Sequence, residues 1–157
     1  RSGEGRRAGD RCERPAMTGL VGLFLAAFLA ATPVPMQSEV VFIALQAAGW
    51  GIVPLVLAAS VGNTLGSCVT YTLGRAVEQL KGRRWFPLTP AQMVRAEGWW
   101  ARWGLWSLLL SWAPGGDVLV ALAGVMRVPF WRFLALVALA KTGRYLILAV
   151  LTRAAIG

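Results

Sequence analysis

Histidine is absent from the 157 residues, which removes the commonest metal ligand and the commonest general base together. Cysteine is nearly absent. Cys12 lies in a polar stretch and Cys68 in an apolar run, a pair that offers neither a disulfide framework nor a metal-binding spacing, so no metal or cofactor is expected. Acids are also scarce, 7 against 16 Lys and Arg, with no dense acidic motif. An enzyme acting on lipid phosphates would need a nucleophile and a base, so the composition argues against an enzyme. The basic residues form no stripe on a polar domain. They flank apolar runs, which fits orientation in a membrane and contact with anionic headgroups and speaks against nucleic acid as a partner.

What remains is apolar: 57% hydrophobic residues against 15% charged, too greasy for a soluble domain and too short for two. The chain reads as an all-α integral membrane protein. From Thr18 to Gly74 the only charged side chain is Glu39, and between Arg102 and Arg127 the only one is Asp117. An ionisable group at bilayer depth costs at least a few kcal/mol, roughly 2.5–3.5 on insertion scales, so each lone acid marks a candidate functional site. Both follow breaks. Pro33 and Pro35 precede Glu39, and Pro114, Gly115 and Gly116 precede Asp117. Proline removes a backbone donor and turns the residue before it away from α.

Residues 1–16 are polar and without hydrophobic periodicity, which predicts a disordered tail or an extension upstream of a natural start at Met17. Gly19 to Ala31 is too short to cross a bilayer alone and leads into the proline break, and the run then resumes from Val40 to Ala48. One long kinked crossing and a re-entrant hairpin both fit. Ile52 to Leu73 is a full crossing with a face of small residues, Ala58, Gly62, Gly66, Thr70 and Gly74, of the kind that lets another backbone approach. Residues 76–103 are the main non-membrane loop, with Thr89-Pro90-Ala91-Gln92 opening a Trp-rich interfacial helix. Leu105 to Met126 holds the second break. Phe133 to Leu151 is a last crossing that carries Lys141 and Arg144, two cations tolerable at depth if they face the acids or an anionic ligand.

The halves align at one offset. Glu39 and Asp117, Asn63 and Lys141, Thr64 and Thr142, and Arg75 and Arg153 are each 78 positions apart. This predicts a duplicated unit, repeat 1 over 19–75 and repeat 2 over 104–153, in a single membrane domain of residues 17–157. If each break is a re-entrant hairpin, a unit crosses once and the repeats are inverted. Arg75 to Arg102 and the Arg127 to Arg132 corner then share one side, which the positive-inside rule makes cytoplasmic. The expected fold is therefore two inverted repeats, each a re-entrant helical hairpin followed by a transmembrane helix. Broken helices meeting near the midplane are the architecture of secondary transporters.

Phe28-Leu29-Ala30-Ala31-Thr32-Pro33-Val34-Pro35 through Ser38-Glu39, then Gly62-Asn63-Thr64-Leu65-Gly66, Tyr71-Thr72-Leu73-Gly74-Arg75, and Pro114-Gly115-Gly116-Asp117 with Gly124 resemble the DedA superfamily of VTT-domain (SNARE-associated) membrane proteins, within it the short YqaA-like branch. The resemblance covers nearly all of the chain after Met17. It implies a multi-pass protein of the bacterial inner membrane with two opposed re-entrant loops, a role in translocating phospholipids or lipid-phosphate carriers, membrane homeostasis, and dependence on the proton-motive force. It also implies that Glu39 and Asp117 are the membrane-embedded acids. Longer members carry an arginine-rich motif in the second loop, where this chain has Ser111-Trp112-Ala113-Pro114 and cations only later, at Lys141 and Arg144.

The expected function is a lipid or lipid-phosphate flippase or scramblase, with Glu39, Asp117, Asn63, Lys141 and Arg144 as substrate- or proton-binding residues and Gly62, Gly66 and Gly74 as packing residues. Its partners would be membrane lipids, anionic or phosphorylated ones among them, and homo-oligomerisation stays open. The alternative is a structural or assembly protein in which Lys141 pairs with Asp117 and Arg144 with Glu39 simply to make insertion tolerable.

Overall fold

The charge-free run after Gly51 becomes the helix on which the others are arranged. In a computed structural model, which describes residues 4–32, 37–76, 90–113 and 116–156, the order is α1 (Glu4–Ala30), α2 (Ser38–Ala47), α3 (Ile52–Arg75), α4 (Pro90–Trp103), a 3₁₀ segment (Gly104–Trp112), α5 (Asp117–Val125) and α6 (Phe130–Ile156). No strand occurs among the described residues. Pro33, Pro35, Pro114 and Gly115, expected at the breaks, lie outside them, as does the stretch 77–89 of the basic loop.

α3 shows why this protein belongs in lipid. Val53, Leu57, Val61, Leu65, Val69 and Leu73, one every four residues, form an exposed apolar row. Ser60, Asn63, Ser67 and Thr70 are buried on the opposite side. A water-soluble helix has the reverse polarity. At 24 and 27 residues, α3 and α6 reach about 36 and 40 Å, enough to cross a hydrocarbon core of about 30 Å.

Between helices in lipid, apolar burial gives little net drive, and close packing and hydrogen bonds must hold the bundle. The small-residue face of α3 does this on two sides. Gly62 and Gly66 admit the carbonyls of Phe24 and Phe28, so α1 runs alongside α3 in the same direction, and Thr70 Oγ1 donates to the Ala31 carbonyl at 2.7 Å. Gly74 instead faces α5. There the Ala121 carbonyl fills the place of its missing Cβ, and Gly124 receives the Tyr71 carbonyl in return. α2 then turns back along α1, and the Trp50 ring just beyond it packs on Gly19, closing a hairpin whose two ends meet. α3 and α6 are antiparallel: Tyr71 stacks on Phe133 with ring centroids 4.3 Å apart, whereas Asn63, two turns earlier, reaches Tyr145.

The 78-residue offset extends well beyond the four polar pairs. The end of α2 is capped by Ala48 N–H to Ala44 O (3.0 Å), Gly49 N–H to Gln46 O (3.0 Å) and Trp50 N–H to Leu45 O (3.2 Å). The end of α5 is capped by Met126 to Leu122 (2.8 Å), Arg127 to Gly124 (3.0 Å) and Val128 to Ala123 (3.1 Å), each bond 78 positions on. Gly49 and Arg127 take the left-handed conformation this cap requires, with φ of 88° and 53°. For arginine that conformation costs roughly 1–2 kcal/mol. The two buried clusters obey the same offset. Phe42, Leu55 and Ala59 belong to the first, and Val120, Phe133 and Val137 to the second. Each cluster also takes in the other half's long helix, through Tyr145 and Ala149 in the first and Tyr71 in the second.

α1 takes in the polar residues from Glu4. Two expectations change. The first limb of the second break is 3₁₀, entered through Gly104 at φ 54°. The last crossing is longer than Phe133 to Leu151, since Pro129 supplies the first carbonyl acceptor at one end and Arg153 stays in the last turn at the other.

Candidate functional site

Near the middle of α6, Lys141 and Arg144 stand one turn apart, a spacing that puts both on neighbouring positions of one helix face. Each meets an acid at the start of a short helix. Lys141 Nζ donates to Asp117 Oδ1 at 2.8 Å, and an Arg144 Nη2–H donates to Glu39 Oε1. A negative side chain in the first turn also suits the positive end of α2 and α5. The two lone acids, one from each half, are thus bound to a single turn of one membrane helix.

The pairs differ in access. The Lys141 side chain is 1% exposed, with Asp117 at 34%, while Arg144 and Glu39 are 26% and 28% exposed. Glu39 and Arg144 line a groove of about 280 Å³ with Trp112, Ile147, Leu148 and Leu151. One wall of this groove carries opposite charges and the rest is aromatic and aliphatic.

Behind the groove a polar network locks the pair in place. Ser38 and Tyr145, the neighbours of Glu39 and Arg144, are hydrogen-bonded at 2.8 Å and fully buried. Asn63 Nδ2 donates to the Tyr145 hydroxyl at 3.3 Å and to the Ala27 carbonyl at 3.0 Å, so α2 and α3 both meet the phenol of α6 and α1 is tied in through Asn63. Phe42 lies against the Tyr145 ring, centroids 5.6 Å apart. Lower on α6, Gln46 Nε2 donates to the Ala149 carbonyl at 2.8 Å. Asn63 Oδ1, Ser67 Oγ and Ser111 Oγ are buried without a hydrogen-bond partner.

Of the five expected site residues, Glu39 with Arg144 and Asp117 with Lys141 come together directly, and Asn63 joins the first pair through Tyr145 and Ser38. Gly62, Gly66 and Gly74 lie at helix contacts, and Gly116 is buried against Leu110 and Ser111. Tyr145 and Ser67 escaped the sequence reading as site residues. They are themselves 78 apart and one turn beyond Lys141 and Asn63, a spacing that by itself does not mark either as a polar-site rather than a packing residue. Among the described residues no three His, Cys, Asp or Glu side chains gather to hold a metal.

A model of the VTT domain matches residues 15–154. The chain belongs to the VTT-domain family, the DedA proteins. The inner membrane protein YqaA of Escherichia coli is 39% identical over 138 residues, covering 85% of this chain and 90% of its own. The protein of the same name in Shigella flexneri gives the same figures. An uncharacterised protein of Haemophilus influenzae is 35% identical over 139 residues, covering 83% of this chain and 85% of its own. No solved structure matches this VTT-domain protein.

Proposed function

We propose that this VTT-domain membrane protein carries lipids or lipid-phosphate carriers from one leaflet to the other, supports membrane homeostasis, and does no covalent chemistry. The observation that carries the reading is the groove in which a partly exposed Glu39–Arg144 pair meets Trp112, Ile147, Leu148 and Leu151. A lipid presents the matching pattern of charged head and aliphatic tail. Its phosphate would engage Arg144 when Glu39 carries a proton, which links movement to the proton gradient. Asn63 positions this pair through Tyr145.

The relatives named inner membrane proteins support a place in the bacterial inner membrane. The shared capping pattern, the shared core positions and the antiparallel α3 and α6 support inverted repeats. The contact of Trp50 with Gly19 supports a re-entrant first hairpin. In this arrangement α3 and α6 cross, and the basic residues from Arg75 to Arg102 face the cytoplasm. The observation favouring a static assembly role instead is that both acids already have cation partners.

The test is reconstitution of the full chain in vesicles with a fluorescent phospholipid and measurement of its movement between leaflets. The proposal predicts movement above that of protein-free vesicles and its loss in Glu39→Gln. A folded wild type that moves no phospholipid and no lipid phosphate favours the static role.

A further inference from the structure

Building on the lipid-moving reading, we infer that the two ion pairs do different work: Glu39–Arg144 opens and recloses around an anionic headgroup, while Asp117–Lys141 stays shut and fastens α5 to α6. The pairs look alike in sequence, since each acid follows a break at the same offset. Their surroundings differ. The Arg144 side chain is 26% exposed and lines the groove, so an anion reaches it without any helix moving. Lys141 is 1% exposed, and its ammonium is shielded by Asp117, which is itself 34% exposed, so an anion meets the carboxylate before it meets the cation.

Among the described residues, the offset shows how the surroundings of Asp117 differ from those of Glu39. Moving 78 positions back from Arg144 gives Gly66, and moving 78 on from Ser38 gives Gly116. Both places are filled. The Phe28 carbonyl and the Ala31 methyl occupy the space beside Gly66, and the Leu110 carbonyl and Ser111 Cα that beside Gly116. Around Asp117 the counterpart of the guanidinium is therefore Gly66 and the counterpart of the serine that clasps Tyr145 is Gly116, with backbone atoms in the space beside each. Ser67 stands in the place of Tyr145 with its hydroxyl buried and unpartnered.

The energetics point the same way. Separating Glu39 from Arg144 leaves two groups that a polar ligand in the groove can solvate. Separating Asp117 from Lys141 leaves an ammonium enclosed in protein without its hydrogen-bonded carboxylate, the costliest of the alternatives. Removing both members of an enclosed pair in favour of apolar side chains is often neutral.

Full-length variants, purified in detergent and reconstituted in vesicles of phosphatidylethanolamine and phosphatidylglycerol with fluorescent phosphatidylglycerol as the probe, test the assignment. Asp117→Leu should lower the unfolding temperature by roughly 10 °C, and adding Lys141→Met should restore it. Glu39→Gln with Arg144→Met should keep the wild-type unfolding temperature and lose lipid movement. Lys141→Met with Asp117→Leu should keep lipid movement. A folded Lys141/Asp117 double variant that moves no lipid, or an active Glu39/Arg144 double variant, overturns the division of labour. The unfolding temperatures need no lipid assay. If the wild type moves no lipid the proposed function fails, and equal losses for Asp117→Leu and Glu39→Gln overturn this inference independently.

Discussion

The hydroxyls of Ser38 and Tyr145 lie 2.8 Å apart although 107 positions separate them in the chain, and the residues beside them, Glu39 and Arg144, form an ion pair. Two adjacent residues of α2 therefore clasp two adjacent residues of α6, one contact sealed in the core and the other facing the groove. The buried contact sets the geometry of the open one.

Tyr145→Phe keeps the ring that packs on Phe42 and removes only the hydroxyl. It should destabilise the protein by about 1 kcal/mol, the usual scale for a buried hydrogen bond in a helix bundle. Ser38→Ala should cost a similar amount. The two together should cost less than their sum, because each loses the same bond. Unfolding of the four proteins in mild detergent measures this, and simple additivity would show that the two hydroxyls are not coupled.

Helix contact through glycine makes a second prediction. Gly124→Ala puts a methyl group into the Tyr71 carbonyl and beside the Arg75 amide nitrogen, so α3 and α5 must separate, at a cost of about 1–3 kcal/mol. A Cβ at Gly143 on α6 meets nothing within 4 Å. Gly143→Ala should be neutral or stabilising by up to about 1 kcal/mol. The same unfolding measurement distinguishes them, and equal effects would contradict the interlocked packing of the two halves.

Much of this is legible in the sequence alone, because charge is so sparse here. Glu39 and Asp117 stand out as lone acids, and Lys141 and Arg144 as the cations able to meet them, in the pairings the structure makes. The duplicated offset could be read from four polar pairs. Its depth could not, since matching caps and matching core positions such as Leu55 and Phe133 are apolar or main-chain features in a sequence that is apolar throughout. Tyr145 was hidden for a related reason: an aromatic in a hydrophobic run reads as packing, and only the fold brings Ser38 and Asn63 to its hydroxyl. The 3₁₀ limb was equally silent, because Leu105 to Trp112 contains no breaker and its apolar spacing suits an α-helix.

Topology offers a third prediction. If residues 104–127 enter and leave the membrane on one side, single cysteines at Trp103 and Met126, both exposed, should react with an impermeant reagent from the same face, in a background with Cys12 and Cys68 replaced. A cysteine at Gly49 should react from the other face. Opposite reactivity at the first two positions would require four full crossings and would remove the inverted arrangement.

The most direct test of the groove as a lipid path leaves both ion pairs untouched. Ile147 lines it and is 58% exposed, so Ile147→Trp fills the space without entering the core. Leaflet-to-leaflet movement of a fluorescent phospholipid should fall to the level of protein-free vesicles while the unfolding temperature stays at the wild-type value. Movement at the wild-type rate through the filled groove would contradict the account.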